Sequence, residues 1–439
     1  MAEGRYNRRT AGLRPLAVPV DTALRTTTGR DGTVPEQRPP VLGRPLSRRE
    51  LLRAAGVTAG AVSLAPILAA CASSAGGPFE GEPDGLVNFA NWPLYIDRVQ
   101  DENGVSHIPS LEAFTKDTGI QVNYRQVIED AETFFRAIEK WLRAGEPPGW
   151  DIMVITNGQT LTKLIELDYL LEIPAELHPT FDANADPTVT DPDYDPGNRF
   201  TMAWQSGITG IAYNPELTGR PITSLADLFD PAFHGKVGMF GDATDLPNLA
   251  LLATGVDPET STESDWERAA EKLAQQKAQG LVRDYFTQGY INALSNGEVA
   301  LTMAWSGDIF QEDLTGASPV EFVVPEEGAL IWTDCMCIPK AAQHPLDAVT
   351  LMDYVYRPDV AATIAAGAQY ITPVPGARAV LEERAAGATG EDAELLQQVA
   401  TSPLVFPAEA DRERLHTYRV FDSEDELVAW NRIFAPFQA

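Results

Sequence analysis

The sequence predicts an α/β protein with mostly parallel sheets, and two observations carry that prediction. From Gly85 onward, short apolar runs of strand length alternate with segments whose apolar residues recur at helical spacing. Alternation of this kind is typical of parallel strands covered by helices. The chain has 439 residues, of which 44% are hydrophobic, so it can bury a sizeable core and form two or three domains.

Strands and helices are predicted in turn along the chain. The predicted strands are 86–90, 120–126, 151–155, 236–240, 281–285 and 299–304, with a further apolar strand around 331–334. The predicted helices are 109–117, 131–143, 246–253, 265–278 and 290–295. Residues 179–198 are rich in Pro and Asp and predict a long surface loop. Ligands of such folds lie beyond the carboxyl ends of the strands, so a site is expected there.

The net charge of −30 is unusual for a chain of this length. The negative charge is concentrated after residue 70, because residues 1–70 hold 11 Arg, no Lys and only five acids. A strongly acidic body repels nucleic acid and attracts cations, so we expect no nucleic-acid partner. The same charge could instead serve solubility alone, since net charge does not identify a site.

The first 84 residues have the features of an export signal. Residues 1–46 are rich in Arg, Pro and Thr and are predicted to be a disordered leader. Residues 47–71 contain Arg48-Arg49, an apolar Ala/Gly-rich stretch and the lipobox-like end Leu68-Ala-Ala-Cys71, which predict a twin-arginine-like lipoprotein signal peptide with lipidation at Cys71. Residues 72–84 are predicted to be a flexible tether. We therefore expect an exported protein, anchored by lipid to the outer face of the cytoplasmic membrane.

Motifs that would mark an enzyme, a metal site or a cofactor are absent from the sequence. It contains no Gly-rich phosphate loop, no His-Glu pair at helical spacing and no Gly-x-Ser-x-Gly elbow. The five His are scattered singly, which disfavours a metal site. Cys335 and Cys337 are too close in the chain for an unstrained disulfide, and strand alternation places both thiols on one face, where they pack as small core residues. We expect no catalytic residue, no metal and no cofactor.

Aromatic and acidic side chains follow several predicted strands. These pairs are Trp92 and Tyr95, Asp242 and Asp245, and Trp305 and Asp308. Each pair alone also fits a bland interpretation, since aromatic rings are usually core residues and Asp245 or Asp308 could cap a helix.

Asp334 is a stronger indication, because it stands in an apolar strand. Alternation places Trp332, Asp334 and Met336 on one face. An ionised carboxylate in such surroundings requires a partner, which is either an Arg or Lys of the protein or a cationic ligand. The neighbouring indole favours a cation. Rings with carboxylates suit an alkyl chain that carries amino groups, because the rings pack the methylenes and the acids bind the ammonium ends.

Several motifs resemble the spermidine/putrescine-binding proteins of bacterial uptake systems, over about residues 86–380. The motif after the first strand is similar to the family's Asn-Trp-x-x-Tyr, and 224–236 resembles the entry to its second lobe. The other motifs that carry the resemblance are 114–120, 150–154, 330–334 and 357–361.

The resemblance implies a two-lobed periplasmic-binding-protein fold of type II-like topology, with hinge-crossing strands between the lobes. Lobe 1 would comprise 85–207 and 334–378, and lobe 2 would comprise 208–333 and 379–439. It implies a monomeric extracellular solute-binding protein that captures spermidine or putrescine in the cleft between the lobes. Its partners would be the permease subunits of an ABC importer with a cytoplasmic ATPase.

The resemblance also implies a set of ligand-binding residues by motif. The acids would bind ammonium groups, the rings would pack the methylene chain, and a Thr stands where the family has a Ser that helps to hold an amine. The set comprises Trp92, Tyr95, Thr156, Asp242, Asp245, Trp305, Trp332, Asp334 and Tyr370.

The sequence departs from the family pattern at three points. Gly158 stands where an aromatic residue is expected, so one wall of the site is missing. Asp245 replaces a Glu and is shorter by one methylene. The polar contact that the family takes from its C-terminal region has no evident counterpart in 412–420. The choice between spermidine and putrescine therefore stays open.

Three other classes of function compete with this interpretation. One is an acidic surface protein without a defined ligand, which no ligand would stabilise. A binding protein for another small solute, such as an amino acid derivative, would need a basic residue to hold a carboxylate or phosphate. An enzyme exported by the twin-arginine route would need a catalytic or cofactor motif. The candidate residues offer neither.

The lipobox-like motif generates a first prediction. Cys71→Ser is expected to release the protein from the membrane fraction without unfolding it, because the tether lies outside the predicted core. Fractionation of cells that express each form measures the release, and Cys335→Ser serves as the matched control. Variant protein that still sediments with membranes would show that the lipid is not the anchor.

Overall fold

A computed structural model describes residues 77–101, 103–315, 319–421 and 423–438 of the chain. The predicted leader, the signal peptide with Cys71 and the first part of the tether lie outside the described residues. Within the described ranges, none of the helices combines the length and apolar character needed to cross a membrane.

The strands of the described residues range from two to thirteen residues. They are β1 (Leu86–Asn91), β2 (Val99–Gln100), β3 (Ser106–His107), β4 (Gln121–Gln126), β5 (Ile152–Thr156), β6 (Thr201–Tyr213), β7 (Val237–Phe240), β8 (Val282–Phe286), β9 (Leu301–Trp305), β10 (Glu321–Val323), β11 (Ala329–Cys337) and β12 (Leu415–His416).

Helices follow most of the strands. They are α1 (Pro109–Thr118), α2 (Ala131–Ala144), α3 (Gln159–Glu166), α4 (Pro179–Asn184), α5 (Pro215–Thr218), α6 (Asp245–Leu252), α7 (Glu263–Ala278), α8 (Tyr290–Ser295), α9 (Ser306–Thr315), α10 (Pro345–Tyr354), α11 (Pro358–Ala368), α12 (Ala377–Gly387), α13 (Glu391–Thr401), α14 (Glu409–Arg412) and α15 (Glu424–Phe434). Five short 3-10 turns complete the described helices, at Ala175–Leu177, Pro187–Val189, Leu225–Phe229, Pro231–Phe233 and Ala435–Phe437.

One mixed sheet runs through the described residues, in the order β4-β1-β5-β11-β6-β9-β7-β8. The strands are parallel within two outer groups, β4-β1-β5 and β9-β7-β8. Between these groups, β11 pairs antiparallel with β5 and β6, and β6 pairs antiparallel with β9. The two groups and the two crossing strands give the two-lobed α/β architecture that the sequence predicts.

The crossing strands form the centre of the core. All thirteen residues of β6 are buried, in agreement with its mostly apolar and small side chains. The pairing of β6 with β11 skips one residue, because Asp334 lies opposite Gln205 and Cys335 lies opposite Ala203. Trp204 is therefore a bulge residue, and bulges turn side chains to new directions.

Local sequence explains where the early helices begin and end. Asp130 caps α2 by accepting the amide of Thr133, and Gly145 ends this helix in a left-handed conformation. α1 begins at Pro109, which has no amide to leave unpaired, and Gly119 ends it. These signals are local, so the predicted bounds agree with the structure to within two residues.

The surface loop predicted over 179–198 was wrong in part, because α4 forms at its start. Thr180 and Phe181 donate their backbone amides to Oδ1 of Asp353 on α10, at 2.7 and 2.9 Å. The cap of this helix comes from a residue far along the chain, so no local signal supplied it.

The proposed lobe boundaries stay a prediction. One contact bears on them: Arg384 on α12 donates to the carbonyl oxygen of Asp359 and to the hydroxyl of Thr363, both on α11. The helices α12 and α13 thus pack on α11, which belongs to predicted lobe 1. The last helix, α15, packs on α7 of predicted lobe 2.

Close packing of α11 generates a stability prediction. A Cβ at Gly367 would lie 2.3 Å from Cα of Asp97, so Gly367→Ala forces backbone apart and is expected to lower the unfolding free energy by about 1–3 kcal/mol. Gly387 at the end of α12 has no atom within 4 Å of a built Cβ, so Gly387→Ala should be neutral or stabilising by up to about 1 kcal/mol. Urea unfolding measures the stability of the two variants. Equal unfolding free energies would contradict the close packing of α11 against Asp97.

Candidate ligand-binding site

Asp334 lies buried in the centre of β11, opposite Thr156 at the end of β5. The Thr156 hydroxyl donates to Oδ1 of Asp334 at 2.5 Å. The buried hydroxyl of Tyr95 faces this carboxylate without completing a hydrogen bond, and it has no other partner among the described residues. The pKa of Asp334 is lowered by its contacts with Thr156 and Tyr95, against the larger effect of burial, so these two hydroxyls favour the ionised acid.

Trp332 lies on the same face of β11 as Asp334. Its Nε1 donates to Oγ1 of Thr209 on β6 at 3.0 Å. Its ring lies against Gly207, where a Cβ would come within 2.4 Å of the indole. The ring of Tyr370 packs beside it with a centroid distance of 5.7 Å. Because Gly207 has no side chain, the indole can pack directly against the backbone of β6.

The segment after β1 positions Trp92 and Tyr95. The indole of Trp92 donates to the carbonyl oxygen of Val154 on β5 at 3.0 Å. The bulge residue Trp204 donates its Nε1 to the carbonyl oxygen of Tyr95 at 3.1 Å. The rings of Tyr95 and Tyr370 meet edge to face at 4.8 Å. The irregularity in β6 thus holds the backbone that presents Tyr95 to Asp334.

Asp242 and Asp245 lie where β7 leads into α6. Oδ1 of Asp242 accepts the backbone amides of Thr244 at 2.7 Å and Asp245 at 2.5 Å. Asp242 therefore caps the start of α6, a role that the sequence offered to Asp245 as the alternative. Asp245 instead accepts three side-chain bonds, from Thr209 at 2.7 Å, Tyr418 at 2.8 Å and Trp305 at 3.0 Å.

Asp308 lies beside these acids in the first turn of α9. The hydroxyl of Tyr290 donates to its Oδ2 at 2.7 Å, and the hydroxyl of Tyr370 donates to its Oδ1 at 2.6 Å. Asp308 thus binds two phenols, whereas the alternative drawn from the sequence was a helix cap. Trp305 packs against Tyr290 with a centroid distance of 5.8 Å.

The structure brings the nine predicted residues together around β11. Eight of them are joined by direct hydrogen bonds, ring contacts or neighbouring charges, either to each other or through Thr209. Trp92 is connected to this group through β5, because its indole donates to the carbonyl oxygen of Val154. Three further side chains, Thr209, Tyr290 and Tyr418, were not singled out in the sequence, and Asp308 was noted there beside Trp305 but is not one of the nine.

Tyr418 bears on two of the departures noted in the sequence, the aromatic wall absent at Gly158 and the polar contact absent from the C-terminal region. A Cβ built on Gly158 would lie 3.9 Å from Cδ2 of Tyr418, so this ring stands beside the position where an aromatic wall is missing. Its hydroxyl supplies a polar contact from the C-terminal region. Both residues line a groove of about 1100 Å³, to which Thr333 contributes from the opposite face of β11. None of the nine predicted site residues is among the described residues that line this groove.

The four acids of the site carry charge that no described cation neutralises. No Lys, Arg or His of the described residues forms an ion pair with Asp242, Asp245, Asp308 or Asp334. Burial raises the pKa of Asp334 to about 7, and burial with the charge of Asp245 raises the pKa of Asp242 to about 7. Burial also raises the pKa values of Asp245 and Asp308, against the effect of their donors. The arrangement is chemically suited to a cation.

Comparisons with known proteins identify the family of the chain. The sequence pattern of the family "Bacterial extracellular solute-binding protein" matches residues 110–392. A spermidine/putrescine-binding periplasmic protein of Salmonella typhimurium is 30% identical over 299 residues, which are 68% of this chain and 80% of that protein. A putrescine-binding periplasmic protein of Pseudomonas aeruginosa is 26% identical over 79% of this chain and 90% of that protein.

A solved structure shares the fold. The substrate-binding protein of a spermidine/putrescine ABC transporter from Streptococcus pneumoniae superposes with a TM-score of 0.64, at 21% identity, over 80% of this chain and 98% of that one. By the match to the family pattern and the extent of the similarity to the Salmonella protein, the chain belongs to the bacterial extracellular solute-binding proteins, in the family of the spermidine/putrescine-binding periplasmic proteins.

Proposed function

We propose that the protein captures a linear polyamine, spermidine or putrescine, and delivers it to the permease of an ABC importer. The observation that carries this proposal is a set of four carboxylates that no described cation neutralises: Asp245 and Asp334 are buried, and Asp242 and Asp308 are half-buried. A buried charge without a partner is costly, and an ammonium group relieves that cost by pairing with it. The names of the relatives support the same class of ligand.

The surroundings of the acids match the rest of such a ligand. Methylene groups pack well against aromatic rings, and ring faces attract ammonium groups. Rings surround the acids on several sides: Tyr95, Trp305, Trp332, Tyr370 and, from the C-terminal region, Tyr418. In this proposal Asp242, Asp245 and Asp334 bind ammonium groups, Thr156 orients Asp334, and the hydroxyl of Tyr95 faces the same carboxylate.

The composition of the site disfavours the competing functions. A solute with a carboxylate or phosphate would meet four acids and no described basic side chain, so like charges would repel it. An exported enzyme would need a reacting group activated by a neighbouring base. The acids here accept hydrogen bonds from alcohols, phenols, an indole and backbone amides, which hold them as acceptors. We therefore propose a binding protein and not a catalyst.

The location of the protein is part of the proposal. Cys71 would carry the lipid, and residues 72–84 would tether a monomer at the outer face of the cytoplasmic membrane. The permease subunits and a cytoplasmic ATPase would receive the ligand. The relatives are periplasmic proteins by name, which supports export.

Ligand-induced stabilisation tests the proposed class of solute. Spermidine or putrescine is expected to raise the melting temperature of the chain, because a ligand at 100 times its Kd adds about 2.7 kcal/mol to the folded state. Glutamate and maltose should leave it unchanged. Sodium chloride at matched ionic strength controls for screening of the acidic surface. A response to anionic or neutral solutes alone would overturn the proposal.

Asp334→Asn tests whether its charge serves the ligand. The variant keeps the size of the side chain, and we expect a loss of amine binding of about 2–5 kcal/mol, measured by calorimetry. Asp392→Asn removes one charge from an exposed position on α13 and should leave binding unchanged. Normal binding by the Asp334 variant would refute the assigned role.

The same variant has an expected signature in the empty protein. The pKa of Asp334 is raised to about 7 from 3.8, so the folded state holds a proton that the unfolded state has lost. This contribution to stability is present at low pH and is lost as pH rises through 7, by on the order of 2–4 kcal/mol. Urea unfolding of the empty protein at pH 5 and pH 8 measures this difference. The unfolding free energy of Asp334→Asn is expected to rise relative to that of the parent chain as pH rises. A variant that is less stable than the parent chain at both values would make Asp334 structural.

A further inference from the structure

The backbone of Tyr95 is held by side chains. Its carbonyl oxygen accepts the indole N–H of Trp204 at 3.1 Å, and the side-chain amide of Asn91 lies at 3.5 Å, near the limit of a hydrogen bond. No backbone amide of the described residues donates to this oxygen. The bond from Trp204 is therefore the main one that fixes this point of the chain.

The loop that carries Tyr95 contains a strained residue. Leu94 has a φ of 53°, in the left-handed region, although it is not a glycine. Its side chain is 52% exposed, so packing of that side chain does little to hold the conformation. Strain of this kind persists only where the surrounding structure fixes the backbone, and it is common at ligand-binding sites. The bond from Trp204 to the next residue supplies such a restraint.

Trp204 is itself fixed in the core. It is the bulge residue of β6, it is buried, and its ring meets Phe89 of β1 edge to face at 5.5 Å. An indole has one N–H donor, and the carbonyl oxygen of Tyr95 takes it up. Trp204 thus has no hydrogen bond to offer to the acids or to a ligand, and any effect on them passes through Tyr95.

The phenol of Tyr95 acts on Asp334. Burial raises the pKa of Asp334 to about 7, and the contacts with Thr156 and Tyr95 act in the opposite direction. The ionised form that would bind an ammonium group therefore depends on where the phenol lies. Three other titratable groups lie close enough to interact with Asp334 by charge: Asp245, Cys335 and Tyr418.

We propose that Trp204 is a positioning residue for amine binding: its indole fixes the backbone of Tyr95, and that backbone holds the phenol against Asp334. The inference rests on the proposed function. It adds to the site a residue that bonds none of the four acids and that sets how tightly Asp334 holds an ammonium group.

Calorimetric titration of the full chain with putrescine and with spermidine at pH 8 tests the inference. Trp204→Phe removes the donor and is expected to weaken binding of both amines about tenfold, the effect of one lost hydrogen bond. Benzothienylalanine at position 204, in which sulfur replaces the indole N–H, should weaken binding equally while it keeps the shape of the ring. Trp266→Phe removes an indole bond to Ser261 on the buried face of α7 and should leave binding unchanged.

A double-mutant cycle separates positioning from a general loss of stability. Tyr95→Phe removes the phenol hydroxyl that Trp204 is proposed to position. In that background, benzothienylalanine at 204 should weaken amine binding by less than about threefold, because the positioned group is gone. Equal losses in the two backgrounds would show that Trp204 does not act through the Tyr95 hydroxyl.

The pH profile of binding gives a second readout. Amine binding needs the ionised carboxylate, so affinity falls as pH falls through the pKa of Asp334. A displaced phenol no longer lowers that pKa, so the profile of the benzothienylalanine variant is expected to move to higher pH. An unmoved profile would make Trp204 a structural residue only.

These outcomes separate the inference from the function on which it rests. A parent chain that binds both amines, with variants at 204 that bind equally well, overturns the role of Trp204 and leaves polyamine binding in place. A parent chain that binds neither amine overturns both.

Discussion

The pairing of β6 with β11 is the constraint on which the site depends. These strands run side by side through the core, and each also pairs with one outer group of parallel strands. The pairing of β11 with β5 sets Asp334 opposite Thr156, and the pairing of β6 with β9 sets Thr209 opposite Trp305. Side chains from both outer groups are therefore placed relative to one another by backbone hydrogen bonds. The single bulge at Trp204 adjusts this register and holds the backbone of Tyr95.

Neutral donors favour the ionised forms of three acids of the site. Alcohols, phenols and an indole point at Asp245, Asp308 and Asp334, and each such bond stabilises the ionised form. Burial opposes them and dominates, so the pKa values of these acids are raised. An internal Arg or Lys would have removed this cost permanently, and the described residues provide none there. The empty site can therefore relieve the cost of its buried charge in two ways, by taking up protons or by binding a cation.

Much of this arrangement could be predicted from the sequence, because its signals are local. Strand alternation placed Trp332 and Asp334 on one face, and it placed Cys335 and Cys337 together on the other, where both are free, buried thiols. Strand and helix bounds followed from apolar periodicity, capping residues and glycines.

The parts that could not be predicted depend on contacts between distant segments. Tyr418 lies beyond a strand of only two residues, in a stretch without periodicity, and its partner Asp245 is 173 residues away. In the sequence Asp308 follows a strand and resembles a helix cap. In the structure its carboxylate instead accepts hydrogen bonds from phenols of two other segments. The helix at 179–184 likewise takes its cap from Asp353. In each case the tertiary structure supplied the partner.

The C-terminal region is bound to the segment that carries Asp242 and Asp245 at three points. Tyr418 bonds Asp245, the amide of Arg419 donates to Asn248 at 3.0 Å, and the indole of Trp430 donates to the carbonyl oxygen of Ala243 at 3.0 Å. The two acids and the tyrosine that donates to one of them therefore belong to separate stretches of chain. Mutations in the C-terminal stretch can reshape the cavity while the charged segment stays intact, so a lineage of such proteins can change its preferred solute without rebuilding its binding charge.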